Sequence, residues 1–242
     1  MRLNRVYVEV PVGGLVQVDL QGTAATHVAR VLRLRAGDPL ILFDDAGGEY
    51  TATVVSLSRH VVRVSVGEYL TTDRESALHV TLAQGISRGE RMDVVVQKAT
   101  ELGVKRIVPV LAERTVVRLN AAQAASRLRH WRAIAVAACE QCGRNRLPEI
   151  TPPMSLQAFL VSDLPDGLRL LLQPDGGLRA RDLPASTAAT LLIGPEGGLS
   201  DAERTAALAA QFRGLSLGPR ILRTETAALA ALAVIQQRLG DL

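Results

Sequence analysis

The stretch Leu191-Leu192-Ile193-Gly194-Pro195-Glu196-Gly197-Gly198-Leu199-Ser200 decides the architecture. Thr190 to Ile193 reads as a continuous apolar strand of the buried, parallel type. It runs directly into a glycine-rich loop, after which Ser200-Asp201-Ala202-Glu203 has capping-box spacing and opens a helix. Parallel sheets covered by helices are built from such units, and their ligands sit at the carboxyl ends of the strands. Glycines let the backbone approach a ligand closely, and unpaired amides at the helix start can donate to it. The loop is not Gly-x-Gly-x-x-Gly, and no Gly-Lys-Ser/Thr follows, so neither a dinucleotide fingerprint nor a phosphate-binding P-loop is present. On spacing alone, a plain strand-to-helix turn remains the alternative.

Three further segments could carry chemistry. Leu217-Gly218-Pro219-Arg220-Ile221-Leu222-Arg223-Thr224-Glu225-Thr226-Ala227-Ala228 again leads from a strand through a loop into a helix, with Thr224 expected as N-cap and Glu225 in the first turn. Arg220 and Arg223 flank two apolar residues, which suits a flat apolar ligand beside a polyanion, or a solvated loop. Gln97-Lys98-Ala99-Thr100-Glu101-Leu102-Gly103-Val104 places Lys98 and Glu101 three apart on a helix, where they can simply pair. Arg127 to Arg146 is rich in arginine, including Arg129, Arg132 and Arg144. It reads equally as a phosphate-facing helix or a solvated one.

Working outward, the pattern changes near residues 69–76, which are polar and aperiodic. Before them lie short strands (Val6–Val10, Leu15–Val18, Pro39–Phe43, Glu49–Val55, Val61–Val66) with one helix from Thr23 to about Leu34, the pattern of a small barrel. After them strands and helices alternate. Leu78–Ala83, Arg106–Val110, Leu168–Gln173 and Leu215–Leu217 are strands. The helices are one after Ser87-Arg88-Gly89-Glu90, itself at capping-box spacing, one over about 121–143, one from Ser200 to about Arg213, and one from Glu225 to about Leu239. Two domains are expected, residues 1–72 and 73–242.

Composition bounds the rest. With 48% hydrophobic and 21% charged residues, the 242-residue chain can pack a core and is not disordered. No apolar run reaches the ~20 residues of a membrane-spanning helix, and MRLNRVYVEV alternates like a strand without a signal-peptide core. A cytoplasmic protein is expected. A net charge of +4 permits a polyanionic partner, whereas 3% aromatic residues argue against binding through rows of stacked bases. Cys139 and Cys142 form a lone Cys-x-x-Cys without the four ligands of a structural zinc site, so reduced cysteines and no metal are expected.

Six motifs in series resemble the RsmE family of ribosomal RNA small-subunit methyltransferases, within the SPOUT superfamily. They are Gly-Pro-Glu-Gly-Gly at 194–198, Leu-Gly-Pro-Arg-Ile-Leu-Arg-Thr-Glu-Thr-Ala at 217–227, and Lys-Ala-Thr-Glu-Leu-Gly at 98–103. The others are Glu113 to Val117, Trp131 through Glu140-Gln141, Arg144 and Pro148, and Val31 to Asp38 in the first domain. The resemblance covers nearly the whole chain. Cys142 departs from it, standing where a small residue such as serine or alanine is expected.

That resemblance implies a PUA-like β-barrel ahead of an α/β domain with a SPOUT-type parallel sheet and a C-terminal trefoil knot, a topology periodicity could not reveal. It implies a homodimer and methyl transfer from S-adenosyl-L-methionine to N3 of a uridine in small-subunit ribosomal RNA, free or as an assembled subunit. Carried onto this chain, the cofactor site takes Leu192 through Gly198 (Ile193, Gly194, Pro195, Glu196 and Gly197 between them), with Leu217, Gly218, Ile221, Leu222, Thr226 and Gln173. Arg223 is the first choice for stabilising charge on the uracil oxygens, and Glu225 or Glu196 for receiving the N3 proton. Arg5, Arg30, Arg33, Arg35, Lys98, Arg114 and Arg144 are the expected RNA contacts.

Overall fold

A computed structural model describes residues 3–174 and 176–242. Met1 and Arg2, at the head of the alternating N-terminal stretch, and Asp175 lie outside the described residues. The chain divides into two compact units, Met1–Glu75 with Val136–Leu147, and Ser76–Ala135 with Pro148–Leu242. The first unit therefore differs from the expected 1–72 by reclaiming a second stretch of chain. A single polar linker marks where the chain leaves a unit but carries no sign that it returns.

In the first unit, β1 (Asn4–Tyr7), β2 (Gln17–Gln21), β3 (Pro39–Phe43), β4 (Glu49–Leu57) and β5 (Val61–Leu70) form a sheet in the order β1-β3-β4-β5-β2. β1 pairs parallel to β3 and the other neighbours are antiparallel. Among the described residues no ladder runs from β2 back to β1, so the hydrogen bonding is a row and not the closed ring of the barrel expected. Alternating apolar residues (Val6, Leu20, Leu40, Leu42, Val54, Val62 and Val64 among them) bury one continuous core. The expected helix is split: α1 (Gly22–Thr26) passes into a π-helical turn over His27–Val31, and Arg33 then adopts a positive φ of 55° that ends it ahead of the predicted Leu34.

The second unit is an all-parallel sheet. Its strands are β6 (His79–Gly85), β7 (Arg106–Leu111), β8 (Glu149–Ile150), β9 (Met154–Ser155), β10 (Leu168–Leu172), β11 (Leu178–Arg179), β12 (Ala188–Ile193) and β13 (Arg213–Ser216). The order is β11-β13-β10-β12-β6-β7-β8, with β9 also on β7. β12 is buried along its whole length, as its continuous apolar run requires. Helices α2 (Arg91–Glu101), α3 (Ala121–Cys142), α4 (Leu156–Leu160), α5 (Asp201–Ala209) and α6 (Thr224–Leu239) alternate with the strands. α3 belongs to this unit only as far as Ala135.

Local chemistry explains most helix ends. Asn120 starts α3, its Oδ1 accepting from Gln123 N at 2.9 Å. Ser200 and Glu203 make the capping box of α5 reciprocally. α2 buries Met92, Val95, Val96 and Ala99 on one face, and Gly103, at φ 78°, lets the chain turn away after it. Its start departs from expectation: Glu90 is the N-cap and no side chain caps it, while Ser87 Oγ is turned back toward Gly85 O at 3.5 Å. From β6 the chain first builds outward through β7 and β8, and later returns to lay β12 on β6's other side. Such a reversal opens a crevice at the carboxyl ends of the strands.

Candidate functional site

A cavity of about 610 Å³ opens at the carboxyl ends of β10, β12 and β13, within the range of small-molecule sites. Its walls are the loops that follow those strands: Gln173 and Pro174, Gly194 to Glu196 with Gly198, and Leu217 to Thr224 without Pro219. The two glycine-rich segments singled out from sequence thus face one space.

A buried polar chain holds them together. Thr224 Oγ1 donates to Gly194 O at 2.8 Å, and Gln84 Nε2, at the carboxyl end of β6, donates to Thr224 Oγ1 at 2.9 Å. The N-cap of α6 is Arg223, so Thr224 does not cap the helix as expected; its hydroxyl ties the two loops instead. Gln84 is fully buried, and nothing in its neighbours' spacing marked it. Gly85, beside it, has no room for a side chain, because a Cβ would collide with the backbone of Gly194 and Pro195. Gly177 and Gly214 approach each other in the same way at the β11–β13 edge.

Of the expected cofactor residues, Gln173, Ile193, Gly194, Pro195, Glu196, Gly198, Leu217, Gly218, Ile221 and Leu222 line the cavity. Leu192, Gly197 and Thr226 do not. Leu192 points into the core with Ala83, Val108 and Leu199, because alternate residues of β12 face opposite sides of the sheet. Gly197 carries its carbonyl to Arg114 Nη1 at 3.2 Å, and Thr226 lies on the exposed side of α6. Leu172, Leu217 and Leu222 supply apolar wall, while Ile221 is 86% exposed at the rim.

The charged residues of the cavity differ in how far they are committed. Glu196 Oε1 accepts from Arg88 N at 3.0 Å and from Arg91 Nη1 at 2.8 Å. Burial pushes its carboxyl up, but its own backbone amide, the Arg88 amide and the Arg91 guanidinium outweigh that and hold it below the usual carboxylate range. A carboxylate so well satisfied is a weak base. Glu225 is the opposite case. Its Oε1 lies 3.8 Å from Arg91 Nε, and its Oε2 is buried without a hydrogen-bond partner among the described residues. Arg223 is exposed, and among the described residues no carboxylate pairs with it. Arg91 and Arg204, which also line the space, were not anticipated; both fall where a sequence shows only a surface helix.

The expected RNA contacts separate into three groups. Arg30, Arg33 and Arg35 are exposed in the first unit, and Arg114 is exposed in the second. Lys98 is half-buried and pairs with Glu101 at 2.8 Å. Arg5 and Arg144 correct the expectation. Arg5 is ion-paired with Glu49 and also donates to Arg144 O at 3.0 Å; Arg144 meets Glu75 at 2.7 Å, and both arginine side chains are 4% exposed. Their charge builds the interior of the first unit, where phosphates have no access. Cys139 lies in the same interior near Tyr7 and Phe43, where burial pushes its thiol up to about 12.

The cavity fits a nucleoside-sized ligand with an apolar plane and a charged tail. Glycine-containing backbone, leucines, arginines and two carboxylates all contribute to its lining.

Comparison with known proteins agrees with that chemistry. Residues 74–236 match the RNA methyltransferase domain family and residues 20–67 the RNA methyltransferase PUA domain. The ribosomal RNA small subunit methyltransferase E of Bacillus subtilis is 32% identical, over 90% of this chain and 88% of that one. A Neisseria gonorrhoeae protein of the same name, solved bound to S-adenosyl methionine, is 38% identical over the whole of both chains with a TM-score of 0.92. A Legionella pneumophila protein solved in complex with the cofactor SAM is 41% identical, also over the whole of both chains, with a TM-score of 0.96. The parallel sheet, its cavity and this likeness along the full length lead to one assignment: the chain belongs to the ribosomal RNA small subunit methyltransferase E family, with an RNA methyltransferase domain behind a PUA-like one.

Proposed function

We propose that this chain methylates N3 of a uridine in small-subunit ribosomal RNA, with S-adenosylmethionine as donor. The observation that carries the reading is the one cavity shared by the loops after β12 and β13, clasped by Thr224. When bound, the cofactor supplies a methyl group already activated by its sulfonium. Gly194 to Glu196, Gly198 and Gln173 would hold it mainly through backbone, with Leu217, Ile221 and Leu222 against its adenine.

The chain's own task is to align the acceptor and exclude water. Uridine N3 becomes a good nucleophile on losing its imide proton. Arg223, exposed at the cavity and unpaired among the described residues, would stabilise the charge that develops on the uracil oxygens. Glu225 is the better proton acceptor, since Glu196 already accepts two hydrogen bonds and is held below the usual range. The base has to be unstacked, or single-stranded, to present N3. Arg30, Arg33 and Arg35 of the first unit and Arg114 of the second would meet phosphates.

The proposal extends to a C-terminal trefoil knot around the cofactor loops and to a homodimer. An almost fully exposed Ile221 at the cavity rim supports an apolar neighbour there. No helix among the described residues is long and apolar enough to cross a membrane, and we place the protein in the cytoplasm with its substrate.

The test is transfer of tritium from labelled cofactor to small subunits lacking the modification, with mass spectrometry of the product nucleoside. Incorporation as 3-methyluridine is expected. Subunit binding without transfer would make the chain an RNA-binding protein that keeps the fold, and calorimetric binding of ATP in place of S-adenosylhomocysteine would overturn the cofactor.

A further inference from the structure

Next to the cavity, the second unit forms a smaller groove lined by Arg88, Gly89, Glu90, Arg91, Val94 and Glu225. Two of these, Arg91 and Glu225, also line the cavity. The two spaces therefore meet at one guanidinium and one carboxylate. We infer that this groove receives the target base, and that Glu225 and Arg91 read the Watson–Crick edge of uracil. The inference rests on the methyltransferase reading above and assigns its acceptor side.

Hydrogen-bond inventory is the first argument. Uracil presents one donor, N3–H, between two acceptors, O2 and O4. Its complement is an acceptor between donors. Glu225 Oε2 is a buried acceptor with no partner among the described residues, an unfavourable state that a ligand's donor would relieve. Arg91 stands beside it with Nη1 committed to Glu196 and Nε 3.8 Å from Glu225 Oε1, which leaves its Nη2 amino group to donate to an oxygen. Arg223, exposed on the cavity side of Glu225, can serve the second oxygen. Cytosine would set a lone pair at N3 against the carboxylate, so the same arrangement rejects it.

Charge balance is the second argument. Two arginines and two glutamates line the groove. A phosphate would gain little there, whereas a neutral ring with alternating polar atoms is well matched. Val94, 40% exposed on α2, offers an apolar surface for the ring.

In the transfer, the N3–H bond breaks and its proton passes to Glu225 Oε2. The N3 electron pair forms the bond to the methyl carbon, and the carbon–sulfur bond breaks with its pair going to sulfur. Glu225 returns the proton to water once the product leaves. The methylated base has lost its donor and places a methyl group against the carboxylate, which favours release.

The test uses the full chain with small subunits lacking the modification. Val94→Trp fills the groove from an exposed helical position, and methyl transfer should fall about 50-fold or more while S-adenosylhomocysteine affinity by calorimetry stays within about two-fold. Transfer at the wild-type rate overturns the assignment. Should Val94→Trp lose S-adenosylhomocysteine binding, Arg88→Glu, at an exposed position outside the cavity, decides: a loss of about ten-fold in transfer is expected, and an unchanged rate overturns it. Glu225→Gln removes the proton acceptor, so the rate of its residual transfer should rise log-linearly with pH until the uracil imide titrates. A pH profile parallel to wild type would remove Glu225 from proton transfer. Wild-type protein that binds no S-adenosylhomocysteine or methylates no subunit would instead sink the methyltransferase reading itself.

Discussion

Arginine serves opposite ends in the two units. In the first, Arg5 and Arg144 are 4% exposed and face Glu49 and Glu75. Around the cavity of the second, Arg220 and Arg223 are exposed, and no carboxylate among the described residues neutralises them. Sequence shows the same residue in the same kind of basic, loop-flanking context. What separates the roles is whether a carboxylate distant in sequence arrives to take the charge: Glu75 lies 69 residues from Arg144. A buried pair that loses one partner leaves an uncompensated charge, whereas an exposed arginine that is lost leaves only a ligand unserved.

The largest test of this contrast is Arg144→Ala. It strands Glu75, whose side chain is 6% exposed, and should cost about 3–5 kcal/mol in urea unfolding. A loss of under about 1 kcal/mol would place Arg144 among the expendable surface charges. Arg223→Ala should show the reverse pattern: turnover down about 100-fold, with stability within about 0.5 kcal/mol of wild type. If it unfolds the protein instead, the division between the two regions fails.

Glu196 sharpens the comparison through pH. Its folded pKa lies below the ordinary 4.5, so its contribution to stability is complete above the unfolded value and is lost as pH falls through the folded one. The stability gap between wild type and Glu196→Gln should be constant at neutral pH and shrink on acidification below the carboxylate range; a gap that widens there would reverse the sign. The smallest effect belongs to Lys98, half-buried and paired only along its own helix with Glu101. Lys98→Ala should cost about 0.2–0.5 kcal/mol of stability. A larger change in subunit affinity than in stability would return it to the RNA-facing group.

Much of the second unit was legible because its signals are local. The apolar run at 190–193, which the structure extends back to Ala188, the reciprocal Ser200–Glu203 cap and the glycine after α2 each act within a few residues. The cavity loops were legible as loops for the same reason. Their clasp was not: Gln84 and Thr224 are 140 residues apart, and a glutamine ending a strand has no local signature. Arg91 was hidden likewise, since an arginine in the first turn of a helix reads as solvated until Glu196 and Glu225 are brought to it. Leu192 sits inside the motif yet off the cavity, because a strand alternates faces: its neighbours Leu191 and Ile193 belong to one apolar cluster and Leu192 to another. The short strands at 149–150, 154–155 and 178–179 are too brief to show a period.

The first unit is not a contiguous stretch of polypeptide. Val136–Leu147 comes back to it and brings Arg144 for Glu75, Asn145 for the Thr72 carbonyl at 2.8 Å, and the Leu147 amide for Asp45 at 2.6 Å. A gene fragment ending near codon 75 would encode a torso missing one of its ribs. Anyone grafting this PUA-like unit onto another enzyme has to transplant two pieces of chain, and recombination at the obvious linker would be expected to yield insoluble products.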